Sequence, residues 1–230
     1  TGVEVKGTWP SPKNSYFGIV DTAGFAKDSY YFYQSQWNDK VNTLHILPAW
    51  NEDVVADGDT VPVVVYTDAA KVKLTLTTAS GEVKELGEKE FSTERTEQGY
   101  TYQIYKGSDK NSDNHKNLYL TWNVPYEDGT ITAKAWDAAG NPIDLEGVEG
   151  RTSVTTTGAE AKLSVTADRQ EIAADGEDLV YIAVDVTDEE GNIVPDAANN
   201  ITFKVEGEGK LVGVDNGKQD DHQSYQDDNR

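Results

Sequence analysis

The sequence predicts a mainly β protein, two β-sandwiches in series preceded by a single aromatic helix, and three observations carry that reading. From residue 41 onward, apolar and polar residues alternate in short runs, the period of a strand with one face on a core and the other in water. These runs recur about every ten to fifteen residues, with turn signals between them at Ser80-Gly81, Gly107-Ser108 and Asp128-Gly129. One stretch, near residue 30, carries helical spacing instead. A chain of 230 residues has room for one large domain or two of ordinary size.

Residues 1–27 read as loop: Trp9-Pro10-Ser11-Pro12 is extended, and Gly18, Asp21 and Gly24 punctuate the rest of the segment. Asp28 is placed to N-cap a helix in which Tyr30, Tyr33 and Trp37 follow at i, i+3 and i+7, ending at Asn38-Asp39. With Tyr31 and Phe32 this short helix holds five large rings, too much apolar surface to stand alone. The irregular residues before it cannot cover it, so it requires a larger body to pack on. Strand patterns follow at Leu44 and Ile46, then from Val61 to Tyr66. Val72, Leu74 and Leu76 alternate with Lys71, Lys73, Thr75 and Thr77. Tyr100, Tyr102 and Ile104, then Leu118, Leu120 and Trp122, then Ile131, Ala133 and Ala135 complete the first set. Residues 147–160 read as a junction between modules. Beyond it come Leu163 and Val165, then Val180, Ile182, Val184 and Val186, then Ile201, Phe203 and Val205, again a sandwich pattern. After Leu211-Val212-Gly213-Val214 the chain turns polar and reads as a flexible tail, one or two strands short of a seven-stranded sandwich. The expected units are therefore residues 1–40, 41–150 and 151–230, the last incomplete at its C-terminus.

Composition narrows the function. Twenty basic against 41 acidic side chains leave a net charge of −21, which argues against a nucleic-acid backbone or an anionic membrane surface as partner. The absence of cysteine removes disulfides, thiol catalysis and thiolate metal sites. Three scattered histidines, His45, His115 and His222, give little to build a zinc site or a triad from. No apolar run approaches the ~20 residues of a membrane span, and no signal peptide begins the sequence. Charge and aromatics are uneven: ten of the 22 rings fall in residues 1–50, while residues 159–230 hold 18 acidic and six basic side chains.

Candidate chemistry is sparse. Glu4, between Val3 and Val5, is the best single carboxylate for acid/base work, though an ordinary exposed strand residue explains it as well. Asp185, Asp188, Glu189 and Glu190, and the set Asp215, Asp220, Asp221, Asp227 and Asp228, are rich in calcium-type oxygens. Neither follows the twelve-residue calcium loop, and solvated turns account for both. His45 reads as an outward-facing strand residue. Among the tryptophans that could stack on a sugar face, Trp122 and Trp136 lie in strand patterns and read as core, whereas Trp9 and Trp50 lie in loops where core and ligand readings stand level. Asp137-Ala138-Ala139-Gly140-Asn141 repeats as Asp188-Glu189-Glu190-Gly191-Asn192 at an offset of 51, each after an alternating strand, and reads as two similar hairpin turns. No phosphate-binding glycine loop and no Gly-x-Ser-x-Gly elbow is present.

One long motif is more specific. Asn14-Ser15-Tyr16-Phe17-Gly18-Ile19-Val20-Asp21-Thr22-Ala23-Gly24-Phe25, followed by Lys27-Asp28-Ser29-Tyr30-Tyr31-Phe32-Tyr33-Gln34-Ser35-Gln36-Trp37, resembles the end of the catalytic barrel in family 2 glycoside hydrolases, the large secreted β-galactosidases of Gram-positive bacteria above all. Thr43-Leu44-His45-Ile46-Leu47-Pro48-Ala49-Trp50-Asn51 and Val61-Pro62-Val63-Val64-Val65-Tyr66-Thr67 resemble the sandwich that follows that barrel. Residues 163–169, 172–176 and 209–217 are similar to the immunoglobulin-like domain next in line. The resemblance implies two immunoglobulin-like sandwiches preceded by the last loop and helix of a (β/α)8 barrel, within a retaining glycosidase; no cofactor is expected, no residue is assigned as a metal ligand, and calcium binding stays open. It places both catalytic glutamates upstream of Thr1, so no residue here is expected to be catalytic. Residues 3–17 would form part of one pocket wall, with Trp9, Asn14 and Tyr16 as substrate-side residues, although residues 3–7 depart from the acidic, proline-bearing loop usual there. Expected partners are the rest of the barrel, on the same or a companion chain, and a β-galactoside, with neither nucleic acid nor membrane insertion. The expected location is outside the cell or on the cell wall. Two other functions fit the modules alone: a glycan-binding surface module, and a spacer.

Overall fold

The computed structural model describes residues 17–51, 59–107 and 117–230. They form one helix, α1 (Asp28–Trp37), and eleven strands: β1 (Leu44–Leu47), β2 (Thr60–Thr67), β3 (Lys71–Thr78), β4 (Val83–Glu90), β5 (Ser92–Arg95), β6 (Thr101–Ile104), β7 (Leu120–Pro125), β8 (Gly129–Trp136), β9 (Ser153–Thr155), β10 (Lys162–Ala167) and β11 (Ile182–Thr187). The protein is mainly β, and its sheets are open rather than closed into a barrel.

The first module is a closed sandwich. One sheet runs β1-β2-β7 and the other β4-β3-β8-β9, with every neighbour antiparallel. The alternation seen in the sequence is the alternation of faces. Val72, Leu74 and Leu76 of β3 point inward beside Ala135, Ala133 and Ile131 of β8, and across the core they meet Val61, Val63 and Val65 of β2. Trp50 resolves as core, 1% exposed, with its Nε1–H donated to the Glu127 carbonyl at 2.9 Å and its ring against Tyr126. Trp122 is also buried and donates to the Gly87 carbonyl at 3.2 Å. Trp136 departs from the core expectation: it is only half-buried, at the sheet margin under the Lys71 ammonium, 4.6 Å from its ring centroid.

Strand β4 has a reason for escaping sequence reading. Its register against β3 shifts between Leu74 and Thr75: Leu74 faces Gly87, Thr75 faces Glu85, and Leu86 is the extra residue of a bulge. The bulge changes the phase of the alternation, so Lys84 and Lys89 lie toward the same face although five residues separate them. Lys89 covers that face with its stem and reaches the Tyr105 hydroxyl at 2.7 Å.

Strand β9 lies beyond residue 150 yet pairs with β8, Val154 opposite Ile131, so the first sandwich extends to Thr155. The second strand set builds much less. β10 and β11 form a two-stranded ladder, Val165 opposite Val184, but the strand expected at Ile201-Phe203-Val205 is reduced to a bridge between Thr202 and Asn229. The polar end folds back on the module. Ile201 and Arg230 exchange both backbone hydrogen bonds, at 2.6 and 3.0 Å. The Arg230 guanidinium turns inward to donate to the Gln223 carbonyl at 3.0 Å and the Val214 carbonyl at 3.4 Å. The sequence pattern missed this closure because it rests on Arg230, main-chain carbonyls and the polar side chains of Asp221, Gln223 and Asn229, with no apolar alternation to announce it.

Candidate docking site

Trp9, Asn14 and Tyr16, together with Glu4, lie outside the described residues. The neighbouring feature that is described is the seat of α1 on the first sandwich. Its geometry reverses the simplest reading of the helix. The stripe Tyr30, Tyr33 and Trp37 does not face the sandwich: Tyr33 is at the surface, Trp37 is 79% exposed, and their rings contact each other at 4.8 Å. The face turned to the sheet is largely polar. Gln34 is buried, donating to the Glu149 carboxylate at 3.0 Å and accepting from the Thr43 hydroxyl at 3.1 Å, while Gln36 donates to the Leu118 carbonyl at 3.3 Å. Phe32 adds an edge-on contact with Tyr66 of β2 at 5.3 Å.

A second attachment lies at the helix start. Asp28 is not the cap expected of it; Lys27 holds that position without a side-chain bond. The Asp28 carboxylate reaches sideways instead, accepting from Nε2 of His45 at 2.7 Å and from the Arg151 guanidinium at 2.6 Å. His45 points away from the sandwich core as expected, yet it is only 3% exposed because α1 lies over it and the Tyr31 ring stacks on it at 4.0 Å. Its Nδ1 accepts from the Arg151 amide at 3.2 Å, which leaves Nε2 to carry the proton donated to Asp28. Burial therefore holds the imidazole pKa below its usual value, a pull the Asp28 hydrogen bond only partly counters. The hydrogen bond from His45, with the nearby Arg151 charge, holds the Asp28 carboxyl low despite its partial burial. The charge pair is thus Asp28 with Arg151, and a neutral histidine bridges them.

Outside this seat the apolar surface is bare. A cleft of about 570 Å3 is lined by Ile19, Tyr30, Tyr33, Gln34, Trp37, Asn38, Asp39 and Lys40. Phe25 is also exposed. Such a face, fixed from behind by hydrogen bonds, can bind a further apolar surface. Among the described residues no three His, Cys, Asp or Glu side chains converge to hold a metal, the two acidic sets included. No described helix is long and apolar enough to cross a membrane.

Known proteins place this arrangement. Residues 163–230 match the glycoside hydrolase family 2 C-terminal domain 5, and residues 58–144 match a domain of unknown function, DUF4982. The chain is 35% identical to Beta-galactosidase BoGH2A of Bacteroides ovatus over 222 residues, 96% of this chain and 22% of that protein. Residues 163–230 therefore form a C-terminal domain of the glycoside hydrolase family 2 type. A putative beta-glucuronidase of Formosa agariphila is 29% identical over 201 residues, 87% of the chain and 16% of that protein. Among solved structures, a beta-glycosidase from Bacteroides vulgatus superposes over 96% of the chain and 24% of its own, with a TM-score of 0.73 at 28% identity. The chain spans about a fifth of the length of these two curated relatives. The sequence had no signal for Arg151, a lone cation in the junction whose role appears only when β9 brings it beneath α1.

Proposed function

We propose that this chain is the C-terminal part of a retaining β-galactosidase acting on terminal β-galactosides. In this reading α1 and the segment before it complete the catalytic barrel, the sandwiches buttress it, and Trp9, Asn14 and Tyr16 line the rim of the pocket. The single observation that carries it is the two-sided helix. Its Gln34 side is bonded to the sandwich, while Tyr33 and Trp37, with Phe25, are exposed. Covering each of those rings with another surface stabilises docking by on the order of 1.5–3 kcal/mol. A spacer has no use for such a face. The 35% identity to a β-galactosidase along nearly the whole chain supports the substrate class.

Retention needs two carboxylates ~5–5.5 Å apart, and the proposal places both upstream of Thr1 on the barrel. The chain alone then hydrolyses no chromogenic β-galactoside, whereas the chain joined to that barrel does. Turnover by the purified chain, free of host enzyme, overturns the division of labour. A barrel assembly that cleaves β-glucuronides in preference to β-galactosides overturns the substrate class. Export to the cell exterior or wall is part of the same proposal, tested by fractionating cells that produce the intact enzyme.

A further inference from the structure

The C-terminal module touches the polypeptide that leads into α1. Gly217 lies in a turn with φ +71°, and a Cβ placed on it would sit 2.3 Å from Oδ2 and 2.7 Å from Cγ of Asp21. Both sides of this contact are built. Asp21 uses its other oxygen, Oδ1, to accept the amides of Ala23 and Phe25, each at 2.9 Å, and so closes the turn that lets Val20 bridge to Ala26. The Lys27 amide, donating to the Ile19 carbonyl at 3.0 Å, carries that turn into the helix. On the other side, Asp215 accepts the Gly217 amide at 3.1 Å, Asn216 accepts the Lys218 amide at 3.0 Å, and the Asn216 side chain donates to Asp221 at 2.8 Å. The inward Arg230 guanidinium bonds the carbonyls of Val214, just before the turn, and of Gln223, beyond it.

We propose that the turn of residues 215–218 is a brace: it seats the Asp21 turn, with Gly217 the positioning residue, and thereby fixes the segment that enters α1. Only a residue without a side chain lets this turn approach the Asp21 carboxylate so closely, and that carboxylate is held in place by the two amides it accepts. The second module then has a task beyond lengthening the protein. Where residues 3–17 form the pocket wall, which rests on the function proposed above, the brace also sets that wall.

The test separates contact from backbone strain. Asparagine tolerates a left-handed conformation better than other side chains, so Gly217→Asn mainly adds atoms against Asp21. Gly176→Asn is its control, at φ +82° with nothing within 4 Å of the added Cβ. Amide hydrogen exchange of residues 21–27 is expected to accelerate about tenfold in Gly217→Asn and to stay at the wild-type rate in Gly176→Asn. Adding Asp21→Ser to Gly217→Asn restores slow exchange, because serine still accepts the turn amides but vacates the contested space. Wild-type exchange at 21–27 in Gly217→Asn, or equal acceleration in both asparagine variants, overturns the brace. If Gly217→Asn does not fold, Gly217→Ala set against Gly176→Ala carries the same comparison with fewer atoms to place, the backbone strain being common to both. In an active enzyme that contains this chain, Gly217→Asn raises KM for the galactoside with kcat retained. Accelerated exchange with an unmoved KM leaves the brace standing and removes the pocket-wall reading instead.

Discussion

Two strand sets with similar alternation meet different ends in this chain. In the first module the inner faces of two sheets close on each other, and Leu44, Ile46, Leu74, Leu120 and Ile131 are fully covered. In the second, β10 and β11 pair in full register, yet Leu163, Val165, Ile182 and Tyr181 remain exposed, Val165 at 64% and Tyr181 at 68%. Alternation therefore encodes that a face exists to be buried, and says nothing about whether a second sheet is present to bury it. A two-stranded ladder is marginal in water, so the second module depends on the turns and the Arg230 closure that hold its remaining length.

The sharpest way to break the comparison is to shorten one apolar side chain in each module. Leu74→Ala opens a cavity between two packed sheets and is expected to cost about 2–5 kcal/mol. Val165→Ala removes methyls already in water and stays within about 0.5 kcal/mol. Urea denaturation followed by tryptophan fluorescence reads the first of these, since all five tryptophans lie at or before Trp136. Circular dichroism reads the second. A loss of more than about 2 kcal/mol from Val165→Ala, the size of a core truncation, would mean that its face is covered, and the contrast between the modules would fall.

The seat of α1 gives an intermediate effect and a pH signature. Asp28→Ala leaves the Arg151 guanidinium and the His45 Nε2–H without their acceptor and is expected to loosen the helix by about 1–2 kcal/mol, discounted for the partial exposure of the pair. The sign of the pH dependence comes from two lowered pKa values. Folded His45 resists a proton that the unfolded chain accepts near its ordinary pKa of 6.5, so its contribution is whole above that pH and fades as pH falls through the lower folded value. Asp28 contributes above its ordinary value of 3.8 and is lost as pH falls through its own lowered pKa. Both push the same way: the helix seat weakens toward acid. His45→Gln retains an N–H donor for Asp28 but cannot titrate, so the stability–pH curve flattens just below pH 6.5. An unchanged slope there would show that His45 does not carry it.

How far the sequence foretold this structure depends on which physical signal a feature uses. The β3 and β8 strands were legible because burial on one face of a regular ladder writes itself as alternation, and β2 because Val61 to Tyr66 is a short apolar run. The β4 strand was hidden by the Leu86 bulge, and β9 by its brevity, three residues in a stretch of Gly, Thr and Ser. The helix was placed correctly, but its orientation was not legible. Ring spacing identifies an apolar stripe without saying which neighbour it faces, and here the nearer neighbour is met by Gln34 and Gln36. His45 read as outward from the core, as it is, but nothing local records that a helix lies over that face of the sheet and buries it. The seat on the sandwich depends on pairs 17, 106 and 123 residues apart, a separation over which a single sequence carries no readable pattern.

The twin turns give the finest contrast between the modules. In each, the aspartate accepts the amides two and four residues ahead and the side-chain amide of the asparagine, and the glycine takes positive φ, +85° at Gly140 and +89° at Gly191. One bond separates them: Asp188 also accepts the Gly158 amide at 3.0 Å, from the segment joining the two modules. Asp188 therefore acts at a distance where Asp137 acts only on its own loop. Asp137→Ala is expected to speed amide exchange at residues 139–141 and nowhere else. Asp188→Ala speeds it at 190–192 and also at Gly158, 30 positions away in sequence. Equal, purely local effects from the two substitutions would reduce the Gly158 bond to coincidence. A response confined to Asp188 marks this turn as the clasp that ties the weaker module to the stronger one.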